Sequence, residues 1–256
     1  IKNNINKIKI TEISAEKKLE SFRKANNNYR FPSFNTISGS GPNGAIVHYR
    51  ANKKTNRLIK KNDIYLCDSG GQYHYGTTDV TRTMCFSNPP QKVKNIFTKV
   101  LKGHIGVVTY SLSKNTTGKE LDFIARAPLK KVGLNYEHGT GHGVGYFLNV
   151  HEGPQALSKF NSVKLEKGMI ISNEPGYYET NKFGIRIENL IYTKKNNSKL
   201  KFENLTLAPI EKDLINFDLL NNKEKKYLNE YHKKVYSTIS PFLNKKEKNW
   251  LESIVK

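Results

Sequence analysis

The sequence predicts an α+β fold in which two antiparallel strand hairpins, each bearing two carboxylates, are flanked by helices. Three observations predict it. NDIYLCDSG and GQYHYGTTDVTRTMCF read as a strand and its return, carrying Asp68 and Asp79. MIISNEPGYYETNKFGIRIENLIYT repeats the pattern with Glu174 and Glu188 around a turn at ETNKFG. Between them, PQKVKNIFTKVLKGHIGVVTYSL places apolar residues at 93, 96, 97, 100, 101, 107 and 108, a helical period. Each half of residues 60–192 thus holds one carboxylate hairpin, a pseudo-twofold repeat.

The remaining elements follow in order. Ser14 is expected to cap a helix with Ala15, Leu19 and Phe22 on its packed face. FNTISGSGPNGAIVHY reads as a loop ending in a strand that holds His48. A helix opens near Gly118 with Leu121, Ile124 and Ala125, and Pro128 should kink or divide it. HGTGHGVGYFLNVHEGP is dense in glycine and histidine. From residue 209 onward, LINFDLLNNKEKKYLNEYHKKVY and KKEKNWLESIV read as helical.

Composition narrows the function classes. The 256 residues carry a net charge of +21, but the lysines are scattered among Asn and Ile, and runs such as KKNNSK lack aromatics for base stacking. That argues against nucleic-acid binding. No apolar run reaches the roughly 18 residues of a membrane span, and no secretory signal is visible. Cys67 and Cys85 form no disulfide framework and read as small buried residues in a reducing, cytoplasmic setting.

Two carboxylate hairpins with apolar neighbours cannot converge uncompensated, since like charges and desolvation both disfavour ionisation. Arg82 and Arg186 could offset the charge, but a pair of divalent cations does so more completely, with oxygen donors and an imidazole as ligands. His138 and His142 in HGTGHG, His151 in NVHEGP and His48 in IVHY supply candidates. Glycine at that density is expected to let the backbone approach a ligand. In IRIEN, alternation turns Arg186 and Glu188 one way and Ile185 and Ile187 toward the core. Taken singly, each motif also reads as a solvated hairpin, a turn or a surface loop; their conjunction in one chain points to a metal site.

GTTDVTRT, HGTGHGVGYFLNVHEGP, SNEPGYY and GIRIEN resemble the motifs of aminopeptidase P, the Xaa-Pro aminopeptidase of the pita-bread metallopeptidase superfamily. The likeness runs from about residue 10 to the C-terminus. It implies a pita-bread catalytic domain over 1–208 and a C-terminal helical extension over 209–256, without the N-terminal domains usual in the family. It also implies two divalent ions, manganese first with zinc or cobalt as alternatives, held by Asp68, Asp79, His142, Glu174 and Glu188. Asp79 and Glu188 would bridge the pair. Glu174 would take the proton of the attacking water and return one to the proline nitrogen, and His151 would face the scissile carbonyl. His48, His138 and, more weakly, Tyr178 would border the substrate, and Arg186 would hold a carboxylate behind the ligands. Thr81 and Thr83 are further candidate donors there.

The implied partners are peptides beginning Xaa-Pro, and the implied assembly is a homodimer. No specific nucleic acid and no membrane is expected. The 14-residue step from Glu174 to Glu188 favours aminopeptidase P over its relatives. The rival readings are a prolidase-type dipeptidase, a non-catalytic peptide- or protein-binding module of the same fold, and a basic nucleic-acid-binding domain.

Overall fold

The computed structural model of the chain describes residues 1–196 and 199–256. Helix α1 (Glu12–Lys24) opens on Thr11, whose side chain accepts from the Ser14 N–H while Ser14 returns a bond to the Thr11 N–H. Ser14 is therefore the third helical residue and not the expected cap. The earlier start carries Glu12 into a fully buried site, where its carboxylate accepts from the backbone N–H groups of Ser40 and Arg57, the Asn43 amide and the Tyr49 hydroxyl. Phe22, expected on the packed face, is exposed with the Lys18 ammonium over its ring.

Strands β1 (Tyr29–Pro32) and β2 (Ile37–Ser40) follow. The strand expected around His48 lies instead at the start of that segment, because β2 finds an antiparallel partner in β3 (Ile64–Ser69). His48 sits in a turn. The first carboxylate hairpin has two tiers. β3 pairs with β6 (Val80–Cys85), while between them β4 (Gly71–Tyr73) and β5 (Gly76–Thr77) form a tip hairpin on β1.

Helix α2 (Gln91–Val108) buries each of its seven expected apolar positions. Helix α3 (Gly118–Lys130) packs against it and is not divided by Pro128. That proline lies two residues from the helix end, where only one amide hydrogen bond is forgone. Short strands β7 (Gly141–His142) and β8 (Ala156–Leu157) pair and lead to the second carboxylate hairpin.

Here too there are two tiers. β9 (Ile170–Asn173) pairs with β12 (Asn189–Asn196), and β10 (Gly176–Glu179) pairs with β11 (Phe183–Arg186) as the tip. β12 also pairs with β13 (Lys199–Asn204), a strand that sequence reading did not anticipate. The centre of the KKNNSK run lies outside the described residues. Residues 185 to 188 are all buried, and the expected alternation in IRIEN holds: Ile185 and Ile187 join the apolar core while Arg186 and Glu188 line a cavity.

Helices α4 (Asn222–Ile239) and α5 (Lys245–Val255) close the chain, each starting on an asparagine capping box. One apolar cluster joins Ile64 and Cys85 of the first hairpin, α2, Ile185 and Ile187, and the C-terminal residues Leu228, Val235 and Leu251. Arg82 stitches these parts together. Its guanidinium donates to the carbonyls of Thr81, Glu188, Ala208 and Pro209, to Asn189 Oδ1 and to the Tyr231 hydroxyl. None of these partners is a carboxylate. Among the described residues no helix is long and apolar enough to cross a membrane.

Candidate metal centre

The two hairpins meet edge to edge. Glu188 N–H donates to Thr81 O at 3.2 Å, and the Thr83 hydroxyl both donates to Arg186 O and accepts from Arg186 N–H. This seam brings Asp68 from β3, Asp79 just before β6, Glu174 just after β9 and Glu188 just before β12 to the wall of one cavity of about 460 Å³. His142 enters from β7. The cavity is also lined by His48, His138, His151 and Arg186, and its apolar wall is made by Phe34, Ile37, Val47 and Val150.

Glycine beside His142 also has a packing role. A Cβ on Gly141 would lie 1.9 Å from Ser172 O, so the residue lets β7 close on β9. Gly139 and Gly141 also line the cavity itself. Ser172 Oγ then accepts from the His142 backbone N–H and donates to Glu174 Oε1, so the His142 backbone and the Glu174 carboxylate share one anchor.

His142 Nδ1 faces Gly143 O at 2.9 Å and donates to it when the ring is neutral. Its Nε2 lone pair then points at Asp79 Oδ2 at 3.4 Å and Glu174 Oε1 at 3.3 Å. A lone pair held against two acidic oxygens is repulsive unless a proton or a metal ion lies between them. Asp79, His142 and Glu188 offer ligand atoms all within 4.8 Å of one another. Asp68 Oδ1 and Asp79 Oδ1 are buried and accept no hydrogen bond. Burial first, then the neighbouring Glu188, pushes the Asp79 carboxyl well above its ordinary value, and burial and Glu174 do the same to Glu188. Glu174 is raised chiefly by burial. Hard oxygen donors, one oriented imidazole and two orphaned carboxylate oxygens are a donor set that fits divalent cations.

Of the four cavity carboxylates, Asp68 is the one ion-paired with an arginine among the described residues. Arg186 Nη2 donates to Asp68 Oδ2 at 2.6 Å, so Arg186 holds an expected ligand directly and not a carboxylate behind the ligands. Burial works against the guanidinium, yet Tyr178 and Asp68 keep its pKa well above normal. Thr81 Oγ1 donates to Glu188 Oε2 at 2.8 Å and accepts from Arg186 Nε, whereas Thr83 serves the seam. Tyr178 does not line the cavity. Its hydroxyl accepts from Arg186 Nη1 and faces His138 Nε2 at 2.8 Å, while His138 Nδ1 faces Gly139 O. Burial and Arg186 depress His138 to about 3, so the ring is neutral and both its nitrogens are engaged. The His151 ring lies 4.0 Å from that of His142, tilted by 53°, and its pKa is also shifted down, by burial and by His142.

Sequence reading missed Arg50 and the apolar wall. Arg50, Phe34, Ile37 and Val47 lie within FNTISGSGPNGAIVHYR around His48, and Val150 immediately precedes His151.

Comparison with known proteins adds the family. The model of metallopeptidase family M24 matches residues 1–195, and that of the C-terminal region of the same peptidases matches 198–256. A "Probable Xaa-Pro aminopeptidase P" of Laccaria bicolor is 49% identical over 245 residues, spanning 91% of this chain and 38% of that protein. The crystal structure of X-prolyl aminopeptidase from Caenorhabditis elegans, described as a cytosolic enzyme with a di-nuclear active site, superposes with a TM-score of 0.94. It is 38% identical and is matched over 100% of this chain and 43% of its own. Prolidase from Pyrococcus furiosus gives a TM-score of 0.70 at 32% identity, over 79% of this chain and 58% of that one. The chain spans about two fifths of the length of the curated relatives it matches. Its α+β architecture is the pita-bread fold, and the chain belongs to metallopeptidase family M24.

Proposed function

We propose that this chain carries the catalytic chemistry of a metal-dependent aminopeptidase that releases the first residue from peptides with proline second. One observation carries the reading: His142 Nε2 converges with oxygens of Asp79 and Glu174 beside two orphaned buried carboxylate oxygens. The names of the relatives at 45% and 49% identity support the Xaa-Pro preference, and the di-nuclear site of the worm enzyme supports a pair of ions.

Asp68, Asp79, His142, Glu174 and Glu188 would hold two dications, manganese being our choice. When bound, such ions polarise a peptide carbonyl, anchor a free amino group and bring a water near its pKa at neutral pH. Glu174, with its pKa raised by burial, is placed to accept a proton and pass it on. Arg186 fixes Asp68, and Thr81 fixes one oxygen of Glu188. His151, exposed at the mouth beside His142, is assigned to the scissile carbonyl. His48 and the ring face of His138 border the substrate, and Phe34, Ile37 and Val47 offer the apolar surface a proline ring requires.

We further assign 1–208 as the catalytic domain, with 209–256 as a helical extension packed on it. A cytoplasmic homodimer without a nucleic-acid or membrane partner is the expected working form.

The test is hydrolysis of Arg-Pro-Pro by protein stripped with chelator and then reloaded with manganese. Release of arginine only after reloading supports the reading, and Glu174→Gln should retain metal while losing turnover. Reloaded protein that leaves the peptide intact, or cleaves a proline-free tripeptide as fast, overturns it.

A further inference from the structure

Helix α2 carries a histidine that takes no part in the cavity. His104 is fully buried. Its Nδ1 lies 3.1 Å from Asn173 O, and Asn173 Nδ2 donates to His104 O at 2.9 Å, so the two residues are tied reciprocally. Nε2 faces the backbone of Ile187 without completing a hydrogen bond of good geometry, and Asn173 Oδ1 is likewise unpartnered. Burial drives the ring pKa down to about 3, so the imidazole is neutral and has one N–H, which Nδ1 directs at Asn173 O.

The partners matter because of their neighbours in the chain. Asn173 immediately precedes Glu174, Ile187 immediately precedes Glu188, and Asn173 pairs across the sheet with Asn189. The ring thus abuts the place where both glutamate-bearing segments run side by side. A position that needed only volume would be served by leucine, as at the neighbouring Leu101. An imidazole with one unmatched nitrogen costs about 1–3 kcal/mol in desolvation. Such a penalty is tolerated where geometry is set.

We infer that His104 is a positioning residue: by gripping Asn173 and packing on Ile187 it fixes the backbone that aims Glu174 and Glu188 into the cavity. This rests on the proposed role of those glutamates as metal ligands. Groups of this kind, one step behind the ligands, change metal affinity about 10–100-fold when removed.

The test is calorimetric titration of Mn²⁺ into the chelator-stripped full chain, comparing wild type with His104→Leu and His104→Asn. Leucine keeps volume without the N–H, and asparagine places an amide N–H where Nδ1 stands. The expected result is manganese affinity about 10–100-fold weaker for His104→Leu and largely recovered for His104→Asn. At saturating manganese, kcat should fall in the leucine variant with KM little changed. Equal affinity in wild type and His104→Leu overturns the inference, as does equal weakening in both variants, which would mark a packing role alone. Should His104→Leu not fold, Asn173→Ala cuts the reciprocal bond from the other side and carries the same expectation; unchanged affinity there is equally fatal. Wild-type protein that takes up no manganese overturns the metal reading itself, a distinct result.

Discussion

The two carboxylate hairpins share a two-tier plan but differ in where their tips go. The tip of the first, β4 and β5, leans on β1 and ends in Tyr75, which is 78% exposed. In the tip of the second it is β11 that is driven inward, with Phe183, Gly184, Ile185 and Arg186 all buried against the turn at Gly41–Ala45 and strands β3 and β6. The turn residues of that tip, Thr180, Asn181 and Lys182, are exposed. Charge differs in the same way. In the first hairpin Asp68 has an internal cation and Asp79 has none, whereas the second hairpin supplies that cation, Arg186, to its neighbour. A repeated plan therefore yields one half that presents loops and one half that serves as the frame.

The sharpest way to break this contrast is to add one carbon to each tip. In Gly184→Ala the new Cβ would lie 1.8 Å from Gly44 O, a backbone atom with no room to retreat, so a loss of about 3 kcal/mol or more is expected in denaturant unfolding. Gly76→Ala in the other tip meets nothing within 4 Å, though its φ of 154° favours glycine, and should cost well under half as much.

The next contrast is electrostatic and lies within the first hairpin. Asp68→Asn leaves the buried Arg186 without its anion and should destabilise the chelated protein by about 3 kcal/mol. Asp79→Asn removes an acid that burial and Glu188 disfavour, so the chelated variant should melt about 2–4 °C above wild type. Both variants should lose manganese uptake. Equal melting shifts of the same sign would show that Arg186 does not discriminate between the two aspartates.

Much of this was legible in the sequence. The seven apolar positions of α2 are all buried because a 3.6-residue period allows one face. The order Asp, Asp, His, Glu, Glu marked the cavity because those side chains come from strand ends fixed by local pattern. The unreadable parts depend on partners far away in the chain. Nothing local says that Glu12, at a helix start where an acid normally faces solvent, will be buried under donors from Ser40, Asn43, Tyr49 and Arg57. The strand expected at His48 was misplaced for the same reason, since β2 is defined by β3. His104 escaped notice because it sits on an otherwise apolar helix face.

A third measurement concerns the helices behind the second hairpin. His232 Nε2 accepts from Ile210 N–H at 3.1 Å, and burial, followed by Lys212, lowers its pKa to about 4. The folded state binds fewer protons here than the unfolded chain between about pH 6.5 and 4. Stability from this contact is therefore complete above pH 6.5 and declines as pH falls, by up to about 1.4 kcal/mol per pH unit within that window. His232→Gln should flatten that part of the stability–pH curve, and an unchanged slope would remove the assignment. The smallest effect is expected at the exposed tip, where Tyr75→Ser should stay within about 0.5 kcal/mol of wild type.

Arg82 has a kinetic consequence. Its partners at Glu188, Asn189, Ala208, Pro209 and Tyr231 lie 106 to 149 residues away along the chain. Closing loops of that length is entropically slow, so this guanidinium is expected to find its partners late, after the local helices have formed. The pocket is then expected to mature only once the C-terminal helices have docked, and a template for metal ions to form no sooner.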